Sequence, residues 1–441
     1  MDVNDIFTEY NSNLINQIDR DPLGFQQIWT HFGQKIFESK TTSVATDIRN
    51  YTINLIHHNV IRQLPEKCPV FWHLVSQRSY KEGIEKSIIL FEMMLAHSRV
   101  LSGDNWTEPK GILGTSMAFK RWQDGKKDVV NLESSLSDPR WNTNTKDKSF
   151  EMLLVRQTSL GINGRYKGPF MKMGLFKSDY KYIDYADQWD KIDIAINTNK
   201  ILSELQKTLF KSLKNIKNII TFSPSSLWYE AYQTAFKTHD ITAEFALDFW
   251  PKYLGFKTGA AKSIFDIIIK DKPCQNELSI HEIFEMAKNN INSLEVNEIK
   301  AIQNILDLEP ILVQLDTIFQ LLLKTQDTEI NINNNLLNLI NSYPIPDSSP
   351  LRLKNLIESI RISSNIPESL CRYHEKVMNE RGNMPWIRIL EHGDLKVYLQ
   401  SEIPNSIEDL QRDLNSPENT WIHPYYIPSM KEIVCGMTKS K

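Results

Sequence analysis

Apolar side chains recur at helical spacing along most of the chain. In one stretch, Ile201, Leu205, Leu209 and Leu213 follow one another every four residues, with lysines at positions between them. This repeat is that of an amphipathic helix with one apolar face. The same spacing predicts helices over 24–37, 41–64, 80–101, 201–220, 225–237, 242–250, 280–291, 296–308, 311–325, 351–360 and 367–381.

Prolines predict where several of these helices end. Pro65 follows the apolar repeat of 41–64, and Pro251 and Pro310 lie at the boundaries of later helices. Proline has no backbone N–H to donate, and its ring clashes with the preceding turn, so it usually breaks or kinks a helix. We therefore expect helix ends or kinks at these three prolines.

The segment 103–200 has a different composition. Eight of the sixteen glycines lie between Gly103 and Gly174, whereas no glycine occurs between Gly174 and Gly255. Asn-Gly at 163–164 stands between two short apolar runs, which is the pattern of a tight hairpin turn, although a loop fits equally well. This segment is predicted to contain irregular structure and a small sheet.

The C-terminal part combines several short elements. Residues 386–390 and 395–399 are apolar runs separated by a polar turn, which is the pattern of a β-hairpin. Ser406 and Asp409 have the spacing of a capping box, which predicts a short helix after Ser406. The aromatic and proline-rich residues 421–428 indicate an extended segment that packs against another part of the protein.

Together these patterns predict a mainly α protein with multi-helix N-terminal and central/C-terminal bundles, a glycine-rich mixed insert and a small α+β C-terminal piece. At 441 residues the chain exceeds the size of one compact core. We expect a helical N-terminal domain at 1–102 and a glycine-rich, basic region of loops and short strands at 103–200. A helical domain at 201–382 and a small α+β segment at 383–441 complete the predicted division.

The composition is typical of a soluble globular protein. Hydrophobic residues make up 41% of the chain, and the net charge is only −3, so any electrostatic specialisation is local. Residues 1–18 do not have the basic and apolar regions of a secretory signal, and no apolar run approaches the ~20 residues that span a bilayer. The four cysteines show no metal-ligand spacing, which favours reduced thiols in a cytoplasmic protein. The Asn-, Ile- and Lys-rich composition favours a bacterial source.

The most basic stretch lies inside the glycine-rich segment. No acidic residue occurs between Met152 and Ser178, where glycines alternate with cations and aromatic rings. Cations without opposing charges, beside ring faces on a pliable backbone, are typical of surfaces that bind nucleic acid. The predicted phosphate contacts are Arg156, Arg165, Lys167, Lys172 and Lys177, and the rings predicted to stack or pack are Tyr166 and Phe170.

A second basic cluster precedes this stretch. Lys120 and Arg121 follow Thr115 and Ser116, either of which can cap a helix and leave backbone N–H groups facing a phosphate. Lys120 and Arg121 are therefore included in the predicted nucleic-acid surface. For the first stretch the alternative interpretation is a solvated surface loop or a loop between subunits, and for the second cluster it is simply a loop followed by a capped helix. Neither cluster has the glycine pattern of a P-loop or a dinucleotide-binding turn, so no cofactor is predicted.

Histidines and acids near the C-terminus suggest a metal site as a minor hypothesis. The candidate metal ligands are His374, His392 and Asp394, and the candidate catalytic residues are Glu391, Asp394 and Lys396. Carboxylates and imidazoles bind divalent ions, and the spacing of Asp394 and Lys396 is that of the acid and lysine in metal-dependent nucleases. This spacing is common by chance, and hairpin turns favour polar residues for their own reasons.

Three functions fit these patterns. The preferred one is a non-enzymatic, nucleic-acid-associated subunit of a larger bacterial assembly of the DNA-processing or anti-phage defence type. Its expected partners are DNA or RNA and one or more proteins, with no membrane. The alternatives are a metal-dependent nuclease that uses the C-terminal cluster and a protein-interaction scaffold whose basic segment binds an acidic partner. Long amphipathic helices without a cofactor motif favour partner binding over catalysis.

Overall fold

The computed structural model confirms the mainly α fold. It describes residues 21–101, 114–123, 129–131, 153, 161–214, 216, 219–223, 225–236, 240–271, 277–290, 295–330, 332, 334–390, 393–399, 405–415 and 420–438. The chain divides into two compact units. Unit 1 comprises Met1–Gly33 and Ile299–Tyr425, and unit 2 comprises Gln34–Glu298 and Tyr426–Lys441. The four segments expected from the sequence stay a prediction.

The helices and strands follow one another in a simple order. The helices are α1 (Phe25–Phe37), α2 (Ile48–Lys67), α3 (Pro69–Val75), α4 (Tyr80–Leu101), α5 (Thr115–Gln123), α6 (Ile162–Lys172), α7 (Ala186–Thr198), α8 (Lys200–Lys214), α9 (Leu227–Phe236), α10 (Asp240–Tyr253), α11 (Gly259–Lys270), α12 (Ile280–Asn289), α13 (Val296–Thr325), α14 (Asn334–Ser342), α15 (Leu351–Ser363), α16 (Ile366–Glu380), α17 (Ile407–Asn415) and α18 (Ile427–Met437). A 3₁₀ turn at Tyr182–Tyr185 precedes α7. The strands are β1 (Val129–Asn131), β2 (Ile219–Thr221), β3 (Ile387–Ile389) and β4 (Leu395–Val397).

Helix α2 is the centre of unit 2. Every residue from Ile48 to Ile61 is buried, and the helix contacts α4, α6, α7, α8, α10 and α18. Its N-terminus is capped by the Asp47 carboxylate, which accepts the Arg49 N–H and forms a buried ion pair with the Arg49 guanidinium at 2.9 Å. Because α2 is buried on all sides, its polar side chains must be satisfied by neighbouring helices rather than by water.

Helix α13 supplies the core of unit 1. Its residues from Ile302 to Leu323 are largely buried, and they include the carboxylate of Glu309. This carboxylate accepts the backbone N–H groups of Ile422 and His423, both at 2.9 Å, and the Tyr425 hydroxyl at 2.8 Å. The stretch after Trp421 therefore packs against α13, but it is not extended to Pro428 as predicted, because Tyr425 and Tyr426 form a turn with positive φ and α18 begins at Ile427.

The prolines do not end the helices where we expected. Pro65 lies inside α2, Pro251 lies inside α10, and Pro310 lies inside α13, so the predicted division at Pro310 is wrong. An interior proline costs about 3 kcal/mol because one hydrogen bond is lost. In α13 the buried apolar side chains on both sides of Pro310 offset that cost, since burial of each stabilises the helix by roughly 1.5–3 kcal/mol.

The hairpin predicted around Asn163 is also wrong, because the region is helix α6. Ile162, Tyr166 and Phe170 are spaced by four residues and form one buried face. Gly161 does not cap the helix with a side chain, but the Glu92 carboxylate of α4 accepts the Asn163 N–H at 2.7 Å. Gly174, with φ of +71°, is the one glycine between 161 and 174 in the left-handed region, and it follows the end of the helix.

Other short-range predictions are confirmed. Strands β3 and β4 pair antiparallel, with Arg388 opposite Lys396. The Ser406 hydroxyl accepts the Asp409 N–H at 3.0 Å and donates to its carboxylate at 2.9 Å, which is the capping of α17 that the sequence predicted. Strands β1 and β2 form a second small antiparallel sheet.

The cysteines differ from the expectation. Cys68 and Cys371 are buried free thiols, as expected, whereas Cys435 is disulfide-bonded. Burial raises the pKa of the Cys371 thiol to about 12, so this thiol is inert as a nucleophile at neutral pH. Within the described part of the chain, no helix combines the length and apolar character that crossing a membrane requires.

Candidate nucleic-acid interface

The two rings of the predicted interface lie in the core of unit 2. Tyr166 is 1% exposed and Phe170 is 0% exposed. The Tyr166 ring meets Tyr51 of α2 edge-on at 4.5 Å, and Phe170 lies 6.1 Å from Trp250 of α10. Both rings pack, and stacking on a nucleobase is excluded by their burial. The prediction that Tyr166 and Phe170 stack on bases is therefore wrong, and the alternative prediction that they pack is the one the structure supports.

Two cations of the same segment, Lys167 and Lys177, form contacts with other residues of this protein, although Lys177 remains exposed to solvent. The Lys167 ammonium donates to the Ser178 carbonyl at 3.0 Å and lies 4.0 Å from the centre of the Tyr180 ring. Burial lowers its pKa, and the nearby Lys81 lowers it further. Lys177 pairs with Asp184 at 2.7 Å, and this hydrogen bond raises the pKa of Lys177. Phosphate contact by Lys177 would compete with its ion pair to Asp184, and phosphate contact by Lys167 would compete with its contacts to Ser178 and Tyr180.

The remaining predicted contacts are more accessible or lie elsewhere. Arg165 is half-buried and Lys172 is exposed on α6, and neither forms an ion pair with any described residue. Lys120 is exposed on α5, and Arg121 follows it in the same helix. Arg156 lies outside the described residues. Among the described residues of the predicted stretch, the exposed cations are Lys172 and Lys177, whereas Arg165 and Lys167 are half-buried.

A buried polar network holds α6 against its neighbours. The His58 Nδ1 lies 2.7 Å from the Tyr182 hydroxyl, and its Nε2 lies 3.0 Å from the Asn163 amide oxygen. Because an amide oxygen only accepts, Nε2 carries the proton and Nδ1 accepts from Tyr182. The Asn163 amide also donates to the Tyr180 hydroxyl at 3.0 Å. Burial lowers the pKa of His58 to about 3, so this imidazole is neutral. These hydrogen bonds hold α6 in the folded core of unit 2, which is a structural role.

Among the described residues of unit 2, helix α8 carries a basic surface whose lysines form no ion pairs. Its cationic face carries four exposed lysines with positions i, i+7, i+11 and i+14, namely Lys200, Lys207, Lys211 and Lys214. At 100° per residue they fall within an arc of about 60°, and at 1.5 Å per residue they extend over about 21 Å. None of them forms an ion pair with a described residue. We call these four residues the lysine row.

The opposite face of α8 explains why the row is exposed. Leu202, Leu205, Leu209 and Leu213 are buried, and the helix contacts α2, α7 and α9. Glu204 is the only acidic residue of α8, and it also lies on the exposed side. The sequence contained this signal, because the 3.6-residue apolar repeat of 201–220 places these lysines together. The repeat predicted an amphipathic helix with lysines off its apolar face, but no binding surface was predicted there.

The C-terminal metal hypothesis loses its central ligand. The His374 Nδ1 donates to the Pro22 carbonyl at 2.9 Å, and its Nε2 accepts the Trp386 N–H at 2.9 Å. Both ring nitrogens are therefore occupied, and burial lowers the pKa of His374 to about 4. Neither nitrogen has a lone pair free for a metal ion. This corrects the assignment of His374 as a candidate ligand.

Of the other residues proposed for a metal or catalytic site, the structure describes Asp394 and Lys396. Asp394 is exposed beside β4, and the Lys396 ammonium lies 5.1 Å from the centre of the Tyr398 ring. Glu391 and His392 lie outside the described residues. Among the residues that the structure describes, no group of three or more histidines, cysteines and acids could hold a metal ion.

Comparison of the chain with protein-family models, with curated proteins and with solved structures finds no match. The function of this protein therefore has to be inferred from its own surface chemistry.

Proposed function

We propose that this protein is a non-enzymatic, nucleic-acid-associated accessory subunit whose lysine row on α8 contacts a phosphate backbone. The observation that carries this proposal is the row itself. Four exposed cations share one helix face without an ion pair to any described residue. Lysines this close repel one another, and a polyanion relieves that repulsion while it releases its own condensed counterions.

The strength of such an interaction depends on salt. If all four lysines neutralise phosphates of a duplex, the logarithm of the binding constant falls with the logarithm of salt concentration with a slope of about −3.6. Arg165 and Lys172 on α6 form a smaller second contact in this proposal, since they are the accessible remainder of the strip predicted from the sequence.

The protein also belongs, in this proposal, to a larger cytoplasmic bacterial assembly of the DNA-processing or anti-phage defence type. Support for a protein partner comes from unit 1, where Ile362 is 87% exposed and Leu351 is 71% exposed on the same helix, α15. The two side chains lie on the same face of α15, about 16 Å apart along its axis, and in this proposal they are two apolar contacts that a protein partner covers.

The proposal is tested by measuring the anisotropy of labelled oligonucleotides at increasing salt. Lys207→Glu with Lys211→Glu reverses the centre of the row, and we expect the affinity to fall and the salt slope to shrink by about two. The matched control is Lys191→Glu with Lys300→Glu, which changes the net charge equally at two exposed lysines on α7 and α13. Equal losses in the two double variants, or no binding by the unaltered protein at about 50 mM salt, would contradict the proposal.

A further inference from the structure

A groove of about 590 Å³ runs between α8 and α9 in unit 2. Its apolar lining includes Ile201 and Leu205 from α8 and Leu227 and Ala231 from α9. Leu227 is 53% exposed, so part of this lining faces water. The volume lies within the range of about 300–1,000 Å³ in which proteins hold small ligands or parts of larger ones.

The lysine row borders this groove on one side. Lys200, Lys207 and Lys211 belong both to the row and to the lining of the groove. Facing them, α9 contributes the exposed carboxylate of Glu230, and the sequence of α9 contains no lysine or arginine. The two rims therefore differ in charge: the α8 rim, with three lysines and Glu204, attracts an anionic backbone, and the α9 rim, with Glu230 alone, repels it.

This asymmetry distinguishes between the two forms of nucleic acid. A duplex keeps its base faces stacked inside, so it can use the lysine row but has no use for an apolar concavity beside it. A single strand exposes uncharged base faces next to its phosphates, and these faces are stabilised by contact with side chains. Phosphates on α8 with bases turned towards α9 satisfy both rims.

We infer that the groove between α8 and α9 binds the bases of a single nucleic-acid strand whose phosphates lie on the lysine row. The inference rests on the proposed function and names its substrate class. The bases cover Leu227 and Ala231, and the phosphates stay away from Glu230. The carboxylates of Glu204 and Glu230 only accept hydrogen bonds, so they suit bases that present amino groups, such as cytosine and adenine.

The test compares a labelled single strand with the duplex of the same sequence. Ala231→Leu fills part of the groove without adding a ring on which a base could stack, and the matched control is Ala195→Leu, at a half-buried alanine of α7 that does not line the groove. We expect the unaltered protein to prefer the single strand by roughly tenfold, and Ala231→Leu to remove that preference, since burial of base faces against apolar side chains contributes at this level. Ala195→Leu should leave the preference intact.

A second variant guards against misfolding. Leu227→Glu changes an exposed side chain, so the fold should persist, and the added carboxylate should weaken the single strand more than the duplex. Equal affinity for both forms, with no response to Ala231→Leu or Leu227→Glu, overturns this inference and leaves the proposed function standing. Absence of binding to either form overturns both.

Discussion

Helices α6 and α8 carry the two most basic stretches of unit 2 that the structure describes, and the structure uses them differently. In the α6 stretch the lysines alternate with rings, and the rings themselves form the buried face, with Phe170 fully buried. Lys167 and Lys177 are drawn into contacts with Ser178 and Asp184. In α8 the leucines form the buried face, and the lysines lie opposite them without an ion pair to a described residue.

The difference shows what a cluster of charges in a sequence does and does not imply. Two segments can have similar counts of cations and still differ in how many remain available. Availability depends on which residues occupy the buried face and on whether a carboxylate or carbonyl from another element reaches the cation. For α6 the neighbours include α2 and the residues that follow α6, whereas the exposed face of α8 has its own Glu204 and, across the groove, Glu230 of α9, and no lysine of α8 forms an ion pair with either.

The largest expected effect concerns the rings of α6. Phe170→Ala removes a fully buried ring beside Tyr51 and Trp250, and should lower the free energy of unfolding by about 3–5 kcal/mol. Urea denaturation measures this loss. Lys172→Ala on the same helix is the control and should change stability by less than about 0.5 kcal/mol. A stable Phe170→Ala protein that had lost affinity for nucleic acid would instead restore the base-stacking role.

The next effect is a pH dependence of stability in unit 2. Burial lowers the pKa values of His57 and His58 to about 3, below the ordinary value of 6.5. The unfolded chain therefore binds protons between about pH 6.5 and 3 that the folded protein does not, so this stability is complete above pH 6.5 and is lost as the pH falls. From pH 7 to 5 we expect a loss of about 2 kcal/mol for each histidine.

Urea denaturation at several pH values between 7 and 5 checks this dependence, because ordinary carboxyl groups stay ionised over most of that range. Stability that is constant across the range would show that burial does not hold the imidazoles of His57 and His58 neutral.

The smallest effect sharpens the comparison of the two helices directly. Lys172→Glu with Lys177→Glu reverses two charges of the α6 stretch, one of them already paired with Asp184. We expect less than a threefold loss of nucleic-acid affinity, about the level of a minor phosphate contact. The reversal of Lys207 and Lys211 should cost much more in the same anisotropy experiment. A larger loss from the α6 pair would move the interface back to the stretch that the sequence first indicated.

Much of the fold was predictable because it depends on neighbours along the chain. The apolar repeat predicted α4 at 80–101 and the structure has it at Tyr80–Leu101. The hairpin of β3 and β4 and the capping of α17 by Ser406 also involve residues only a few positions apart. Interactions at this range are read from spacing and residue type alone.

The candidate site was less predictable because its decisive contacts are distant in sequence. His374 is occupied by Pro22, which is 352 positions away, and by Trp386. The helical character of α6 depends on Glu92, which is 71 positions from Asn163, and on the buried surface of α2. Glycines at 161, 164 and 168 favoured a loop on local grounds, and burial of Ile162, Tyr166 and Phe170 outweighed that preference.

The amino-acid sequence alone determined most of the long amphipathic helices, where the C-terminal hairpin forms and that lysines and leucines of α8 occupy different faces. These properties follow from the helical and strand periods, which any local stretch of chain expresses. Only the tertiary structure decided that the rings of α6 are core, that His374 is saturated and that the lysine row stays exposed. Each of those outcomes depends on which distant side chain fills the space around a residue, and burial then sets both its charge and its availability.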